Sequence, residues 1–313
     1  MSGPIVVIGE LPQGVIDRLA QHAEVTQVTD GAALHEAARS GGLREAEALL
    51  VTGQAPIDVD IVQAAPRLRV VSLRAVGYDK VDVDACTRRG IIVCNTPGVL
   101  DEAVADLTIL LTLGLARRIK AAIGAGQGAD APELGSDVRG RTLGVVGMGR
   151  IGRQVARTAH RGFGMPVLYT ARRSRQELIG AQVPLDELLQ RSDVVSLHVP
   201  LSPQTRGLIG RRELSLMKPS AFLVNTARAG LVDFPELEHA LLTGGIAGAA
   251  LDIPVRDYPT AGSRLAGLPQ LLLTPHIGSA TLETRTAMAE MAAENLLAVL
   301  RGGQALSSVN GEG

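Results

Sequence analysis

Gly144-Val145-Val146-Gly147-Met148-Gly149-Arg150-Ile151-Gly152 joins a short apolar run to a segment of helical periodicity, and its spacing decides how the chain folds. Gly147, Gly149 and Gly152 stand in the pattern G-x-G-x-x-G. Each glycine meets a separate demand: a tight turn after the strand, close approach of backbone to a pyrophosphate, and close packing of helix on strand. The helix expected from Ile151 to Gly162 then presents free N–H groups to phosphate oxygens. A glycine triplet alone says little in a chain with 36 glycines. Placed between a strand and a helix, it reads as a dinucleotide-binding βαβ unit, with a plain structural turn as the other reading.

Working outward, similar apolar runs recur at Ile5-Ile8, Ala48-Val51, Val70-Leu73, Ile91-Cys94, Leu143-Val146, Val167-Tyr169, Val194-Leu197, Ala221-Val224, Ala249-Leu251 and Leu271-Leu273. Helical segments separate them, which is the signature of parallel sheets covered on both faces. With 313 residues the chain suits two such sheets better than one. The fold class expected is α/β with two doubly wound parallel-sheet domains. Asn95-Thr96-Pro97-Gly98 interrupts the pattern, and a long helix is predicted from Leu100 toward Ala122, followed by a Gly- and Ala-rich loop from Gly124 to Gly135. A second long helix, Thr281 to about Leu300, carries the chain back to the first domain. The expected division is therefore 1–98 plus 283–313, and 99–282.

Composition limits the function. Lys and Arg number 31 against 32 Asp and Glu, a formal net charge of -1, so no excess of positive charge is available to grip nucleic acid or anionic lipid. There is no Trp, and only three Tyr and three Phe, which leaves the core to aliphatic residues and nearly excludes recognition by base stacking. Cys86 and Cys94 lack the spacing of a zinc site or a disulfide framework and read as buried thiols; no metal is expected. Met1-Ser2-Gly3-Pro4 leads straight into an apolar strand rather than a signal peptide, and the longest apolar stretch, Leu107 to Ala116, is too short to span a bilayer. A cytoplasmic location without membrane or nucleic-acid partners is the expectation.

The strand at Val167-Leu168-Tyr169 is followed by Thr170-Ala171-Arg172-Arg173-Ser174-Arg175. An NAD-preferring site places an acidic residue here, on the adenosine ribose. None is present, and Arg172 with Arg173 can instead pair with a 2′-phosphate, so NADP is the cofactor expected and NAD the lesser one. The other reading is a solvated basic turn. Three later strand ends carry polar groups: Asn225-Thr226-Ala227-Arg228-Ala229-Gly230, Leu251-Asp252-Ile253-Pro254-Val255-Arg256-Asp257 and Thr274-Pro275-His276-Ile277-Gly278-Ser279-Ala280. Together they offer an arginine, a carboxylate and a histidine. His22, His35, His160 and His239 lack such company and read as structural.

At this point the chain resembles the D-isomer-specific 2-hydroxyacid dehydrogenase family over nearly its whole length. The likeness runs through Ala75-Val76-Gly77-Tyr78-Asp79, Asn95-Thr96-Pro97-Gly98, the glycine motif, His198-Val199-Pro200-Leu201, Asn225 to Gly230 and Thr274 to Ser279. Within the family, Tyr169-Thr170-Ala171-Arg172 is most similar to the NADP-using glyoxylate and hydroxypyruvate reductases. The resemblance implies a Rossmann-type coenzyme domain, a flavodoxin-like substrate domain and a homodimer. It implies hydride transfer between nicotinamide and C2 of a small 2-oxo acid, in a cleft between the domains. Arg228 would hold the substrate carboxylate and polarise its carbonyl, while His276 would donate the proton. The N–H groups of Val76 and Gly77 would also grip the carboxylate. Gly147, Met148, Gly149, Arg150, Ile151, Gly152, Arg172, Arg173, His198, Val199, Pro200, Thr205, Thr226, Ala227, Arg228, Asp252, His276 and Gly278 would line the cofactor, with Asp252 reaching the carboxamide.

Three departures bear on that expectation. Asp257 stands where the family has Glu, the residue that bonds the catalytic histidine and raises its pKa, so the carboxylate arm is one methylene shorter. Relatives often carry a Trp before the glycine motif that crosses to the partner's active site, and this chain has none. Val76 replaces the Lys that phosphite oxidation needs, and the pairing of His276 with Asp257 disfavours a formate dehydrogenase. The expected activity is NADPH-dependent reduction of glyoxylate or hydroxypyruvate to the D-2-hydroxy acid. The alternative is a nucleotide-sensing, partner-binding protein of the C-terminal-binding-protein corepressor type with little turnover.

Overall fold

A computed structural model describes residues 3–53, 55–125, 134–172, 179–258 and 263–311. The chain forms two compact units, Met1–Leu100 with Thr281–Gly313, and Asp101–Ala280.

In the first unit the strands are β1 (Ile5–Ile8), β2 (Val25–Val28), β3 (Ala48–Thr52), β4 (Val70–Arg74) and β5 (Ile92–Cys94). All pair in parallel, in the order β2-β1-β3-β4-β5. This is the flavodoxin-like order. The two-residue period of a strand sends Val6, Ile8, Leu49 and Val51 to one core, and Ile5, Val7, Ala48 and Leu50 to another, where they meet Ala289, Ala292, Ala293 and Leu296 of the helix Leu282–Leu300. Because both faces are buried, these strands are apolar throughout rather than alternating. The Thr281 hydroxyl caps the long helix by accepting from the Thr284 N–H at 3.2 Å.

The second unit holds β6 (Leu143–Val146), β7 (Val167–Thr170), β8 (Ala181–Gln182), β9 (Val194–Leu197), β10 (Phe222–Asn225), β11 (Gly248–Asp252) and β12 (Leu271–Thr274). Its order is β12-β11-β10-β9-β6-β7-β8, again all parallel. Counted from β6, this is the Rossmann order 3-2-1-4-5-6 with one strand added. Val195, Leu197, Leu223 and Leu251 fill the core on one face, and Val145, Val194, Val224 and Ala250 the other.

The helix predicted from Leu100 toward Ala122 is in fact two, Asp101–Ala116 and Ile119–Ala125. Between them Arg118 has φ +52°, a left-handed conformation that ends a right-handed helix. The second piece is held on a new course by Lys120, whose Nζ donates to the carbonyls of Ala266, Leu268 and Leu271 at 2.9, 2.8 and 3.0 Å. It continues to Ala125, into the stretch read as loop from Gly124. Cys86 and Cys94 are both buried and unlinked; burial pushes their thiols up to about 11 and about 12, so both stay protonated.

Candidate active site

In a parallel sheet every strand leaves by the same edge, so the loops after β6, β9, β10, β11 and β12 all start from one side of the second unit. The glycine loop follows β6. Gly147 has φ +99°, and a Cβ there would lie 2.6 Å from the His198 carbonyl oxygen. A Cβ on Gly152 would strike the Gly147 oxygen at 2.2 Å, which is the close helix–strand packing the motif requires. Gly149 differs, since a Cβ there would meet nothing within 4 Å. It is the N-cap of the helix Arg150–Phe163 and makes no side-chain cap. Open space in front of uncapped helical N–H groups fits the pyrophosphate of a dinucleotide. Met148 is buried and Ile151 half-buried in the core beneath, while Arg150 is exposed at the helix start.

Beyond β7 the exposed Arg172 sits at the edge where the adenosine ribose of such a cofactor would lie. Arg173 falls outside the described residues. After β9, the N–H of His198 donates to Val146 O at 2.8 Å, which ties this loop to the strand that carries the glycines. Nε2 of His198 shares a hydrogen with Ser196 Oγ at 2.7 Å, and burial pushes the imidazole down to about 4. His198 is therefore neutral at pH 7. Thr205 closes the following loop: its hydroxyl donates to Pro200 O at 2.7 Å and accepts from the Ser202 N–H at 2.8 Å, which holds Val199 and Pro200 in shape.

Arg228 follows β10. Its loop is built by Asn225, fully buried at the strand end, whose Oδ1 accepts from the N–H groups of Ala227 and Arg228 at 3.0 and 3.2 Å and whose Nδ2 donates to Arg228 O at 2.7 Å. One Arg228 guanidinium nitrogen donates to Ala227 O at 2.8 Å, so the side chain is steered by its own loop. The buried Thr226 hydroxyl meets that of Thr108 at 3.0 Å. Asn225, Thr108 and Ser196 are positioning residues whose roles show only in the fold. Asn225 belongs to the run Asn225 to Gly230, but nothing in that run distinguishes it from its neighbours.

At the end of β11, Asp252 is 1% exposed, and its carboxylate accepts three hydrogen bonds from the end of β12 and the loop after it. Oδ1 accepts from the Thr274 hydroxyl and the Ile277 N–H, both at 2.7 Å, and Oδ2 accepts from the Gly278 N–H at 2.8 Å. These bonds flank His276, which has φ +57°, a conformation uncommon for any residue but glycine. A buried carboxylate thus holds the histidine in a backbone state it would not adopt alone. Gly278 must be glycine-sized, because a Cβ would come 3.1 Å from that same Oδ2. Asp257 lies on the short 3-10 turn Val255–Asp257, with Oδ1 3.9 Å from Arg256 Nε. Its carboxylate makes no hydrogen bond among the described residues, so the structure does not bring it onto His276.

In the first unit, Val76 and Gly77 follow β4. Asn95 Nδ2 donates to Val76 O at 2.9 Å, and Thr96 N–H to Ala75 O at 2.9 Å. Asn95 is itself held by the buried Asn295, which donates to its main-chain oxygen at 3.1 Å, and by Ser307, which donates to Oδ1 at 2.7 Å. The N–H groups of Val76 and Gly77 are not used by the fold among the described residues.

A family model described as the NAD binding domain of D-isomer specific 2-hydroxyacid dehydrogenases matches residues 109–278, more than half of the chain. The chain belongs to this family. It is 44% identical over 313 aligned positions to a glyoxylate reductase of Korarchaeum cryptofilum, covering 96% of this chain and 94% of that one. It is 42% identical to glyoxylate/hydroxypyruvate reductase B of Pectobacterium carotovorum, covering 96% of each. The crystal structure of an NADPH-dependent glyoxylate/hydroxypyruvate reductase from Sinorhizobium meliloti, in complex with NADP and malonate, superposes with a TM-score of 0.89 at 34% identity, over 99% of this chain and 97% of that one. The protein is thus an oxidoreductase of the D-2-hydroxyacid dehydrogenase family with a nicotinamide cofactor.

The His198 environment sets a pH dependence. The unfolded chain takes up a proton on this imidazole below its ordinary value near 6.5, whereas the folded protein does so only near 4. Stability from this group is full above pH 6.5 and is lost as the pH falls toward 4, on the order of 3 kcal/mol in total. Urea unfolding at pH 7.5 and 4.5 is expected to show a smaller acid loss in His198→Gln than in the parent. Equal losses would contradict the assignment.

Proposed function

We propose that this protein is an NADPH-dependent reductase of small 2-oxo acids, with glyoxylate or hydroxypyruvate the preferred substrate and the D-2-hydroxy acid the product. The observation that carries the reading is the placing of Arg228 and His276 at one sheet edge by two buried side chains, Asn225 and Asp252, beside a glycine loop shaped for a dinucleotide. Relatives that bear those two substrates in their names support the substrate class.

When bound, the reduced nicotinamide supplies a hydride for C2. The rest of the chemistry falls to side chains and N–H groups. Arg228 offers a planar fork of donors to the substrate carboxylate and its 2-oxo oxygen, and stabilises the negative charge that grows on that oxygen. His276 gives the oxygen its proton. The N–H groups of Val76 and Gly77, unused by the fold among the described residues, are the further donors proposed for a carboxylate, as main-chain donors are at other anion sites. Thr226-Ala227 and His198-Val199-Pro200 would hold the nicotinamide half of the cofactor, with Asp252 available to its carboxamide. Asp257 acts on His276 once its own arm turns from Arg256; hydrogen bonds of this kind tighten when substrate binds.

NADPH preference rests on Arg172 and on the absence of an acidic residue after β7. We further propose a cytoplasmic homodimer. Leu110 on the helix Asp101–Ala116 and Ile123 on the next are 63% and 74% exposed, the kind of surface a second copy covers. No helix among the described residues is long and apolar enough to cross a membrane. Sedimentation should give twice the 32.7 kDa mass of one chain, and a monomer would overturn the dimer.

Initial rates with glyoxylate, hydroxypyruvate and pyruvate, each with NADPH and NADH, test the activity. Fast NADPH oxidation on the first two is expected, falling at least 100-fold in Arg228→Gln. The NADPH preference should shrink at least tenfold in Arg172→Ala. Tight NADPH binding without turnover would sink the reductase reading and favour a nucleotide sensor.

A further inference from the structure

The strand β4 and the helix Leu282–Leu300 run antiparallel, and three contacts give their register. At the start of the strand, Arg69 donates to the carbonyls of Val299 and Leu300 at 3.1 and 3.2 Å. Midway, Ser72 Oγ donates to Ala292 O at 2.7 Å. Arg74 ends the strand on the same face as Ser72, since side chains two apart share a face, and so it lies toward the first turns of the helix, from which the Arg285 charge acts on it. Two guanidinium groups are thereby brought together at the positive end of a 19-residue helix.

Among the described residues neither has a bonded anionic partner. Arg74 Nε is buried with no hydrogen-bond acceptor, and among the described residues neither guanidinium is bonded to a carboxylate. Burial and the nearby Arg285 charge hold the Arg74 guanidinium below its ordinary range, while Glu10, exposed after β1, acts weakly the other way. Arg74 is half-buried, and leaving its buried Nε unpaired beside a like charge is costly, since most buried donors in folded proteins are paired. The arrangement is one an incoming anion would stabilise.

We infer that Arg74 and Arg285 form a subsite for a second carboxylate on the substrate, so that dicarboxylic 2-oxo acids of four or five carbons are accepted along with the small monocarboxylic ones. This rests on the reductase reading and adds a substrate class to it. Arg74 precedes the N–H groups of Val76 and Gly77 by two and three residues, and because the chain bends at Ala75 and Val76 they are at most about 7 to 10 Å apart along the backbone, within the span of a short diacid and an arginine side chain. A carboxylate can accept in parallel from a guanidinium fork, which fixes the orientation of the substrate as well as its charge.

The test compares oxaloacetate with 2-oxobutanoate, and 2-oxoglutarate with 2-oxopentanoate, as pairs of equal length that differ in the second charge. In the parent enzyme kcat/KM is expected to be at least tenfold higher for the diacid of one pair. That ratio should fall at least tenfold in Arg74→Met and in Arg285→Gln, mainly through KM, and be partly restored in Arg74→Lys. Succinate should raise the thermal midpoint of the parent and not of Arg74→Met, a readout independent of turnover. No diacid preference in the parent, or variants that lower both members of a pair equally, would overturn the subsite while glyoxylate turnover kept the reductase reading intact. Failure to turn over glyoxylate as well would remove both.

Discussion

A parallel sheet forces every strand to leave by the same edge, and this constraint organises the whole molecule. Each strand must be followed by a crossover that returns the chain to the opposite edge, and the crossovers cover both faces. The strands consequently become apolar along their length, as in Ile5–Ile8 and Leu143–Val146, where all four residues are buried. Polar chemistry is expelled to the strand ends. With twelve strands among the described residues in two such sheets, the candidate functional groups gather on the carboxyl edge of each.

At those edges one device recurs. A buried polar side chain at or just beyond a strand end satisfies the main chain of a functional loop: Asn225 for Arg228, Asp252 for His276, and Asn95 for Val76. Each clamp uses bonds that would be expensive to leave unmade in the interior, so the loops are stiff where they begin even though they lie on the surface. Rigid loops matter because an arginine and a histidine displaced by about 1 Å lose much of their effect on a reacting carbonyl. The Asp252 clamp goes further by holding His276 in a left-handed backbone state. Arg74 is the exception on this edge, a half-buried arginine whose buried Nε has no acceptor among the described residues.

The strands legible in the sequence are apolar runs, the mark that burial leaves. Two others were not legible. Val25–Val28 lies at the sheet edge with Thr26 and Gln27 exposed, and Ala181–Gln182 is a two-residue edge strand open to solvent. These two edge strands bury too little to leave that signature, whereas the edge strands β5 and β12 keep apolar runs. The break at Arg118 was equally hidden, since Leu113 to Ile123 keeps its helical composition and the cause, the capture of three carbonyls by Lys120, involves residues 146 to 151 positions away. The glycine motif was readable because its residues are chosen by space, as the close approaches at Gly147 and Gly152 show. Asn225, Ser196 and Thr108 carry no such mark, because a clamping asparagine and a solvated one look alike until the fold closes around them. The shortened carboxylate at Asp257 was visible as a departure, but where its arm points depends on the local turn and on Arg256.

The central claim is that these clamped groups reduce a 2-oxo carbon with hydride from a nicotinamide. Its most direct test is to supply NADPH deuterated at C4 of the nicotinamide, on either face in turn, with glyoxylate and with hydroxypyruvate, and to follow the label by NMR. The account predicts that deuterium from one face only appears at C2 of the product, and that the glycerate formed from hydroxypyruvate is the D enantiomer. Product without label, L-glycerate, or cofactor that binds and is never oxidised would contradict it.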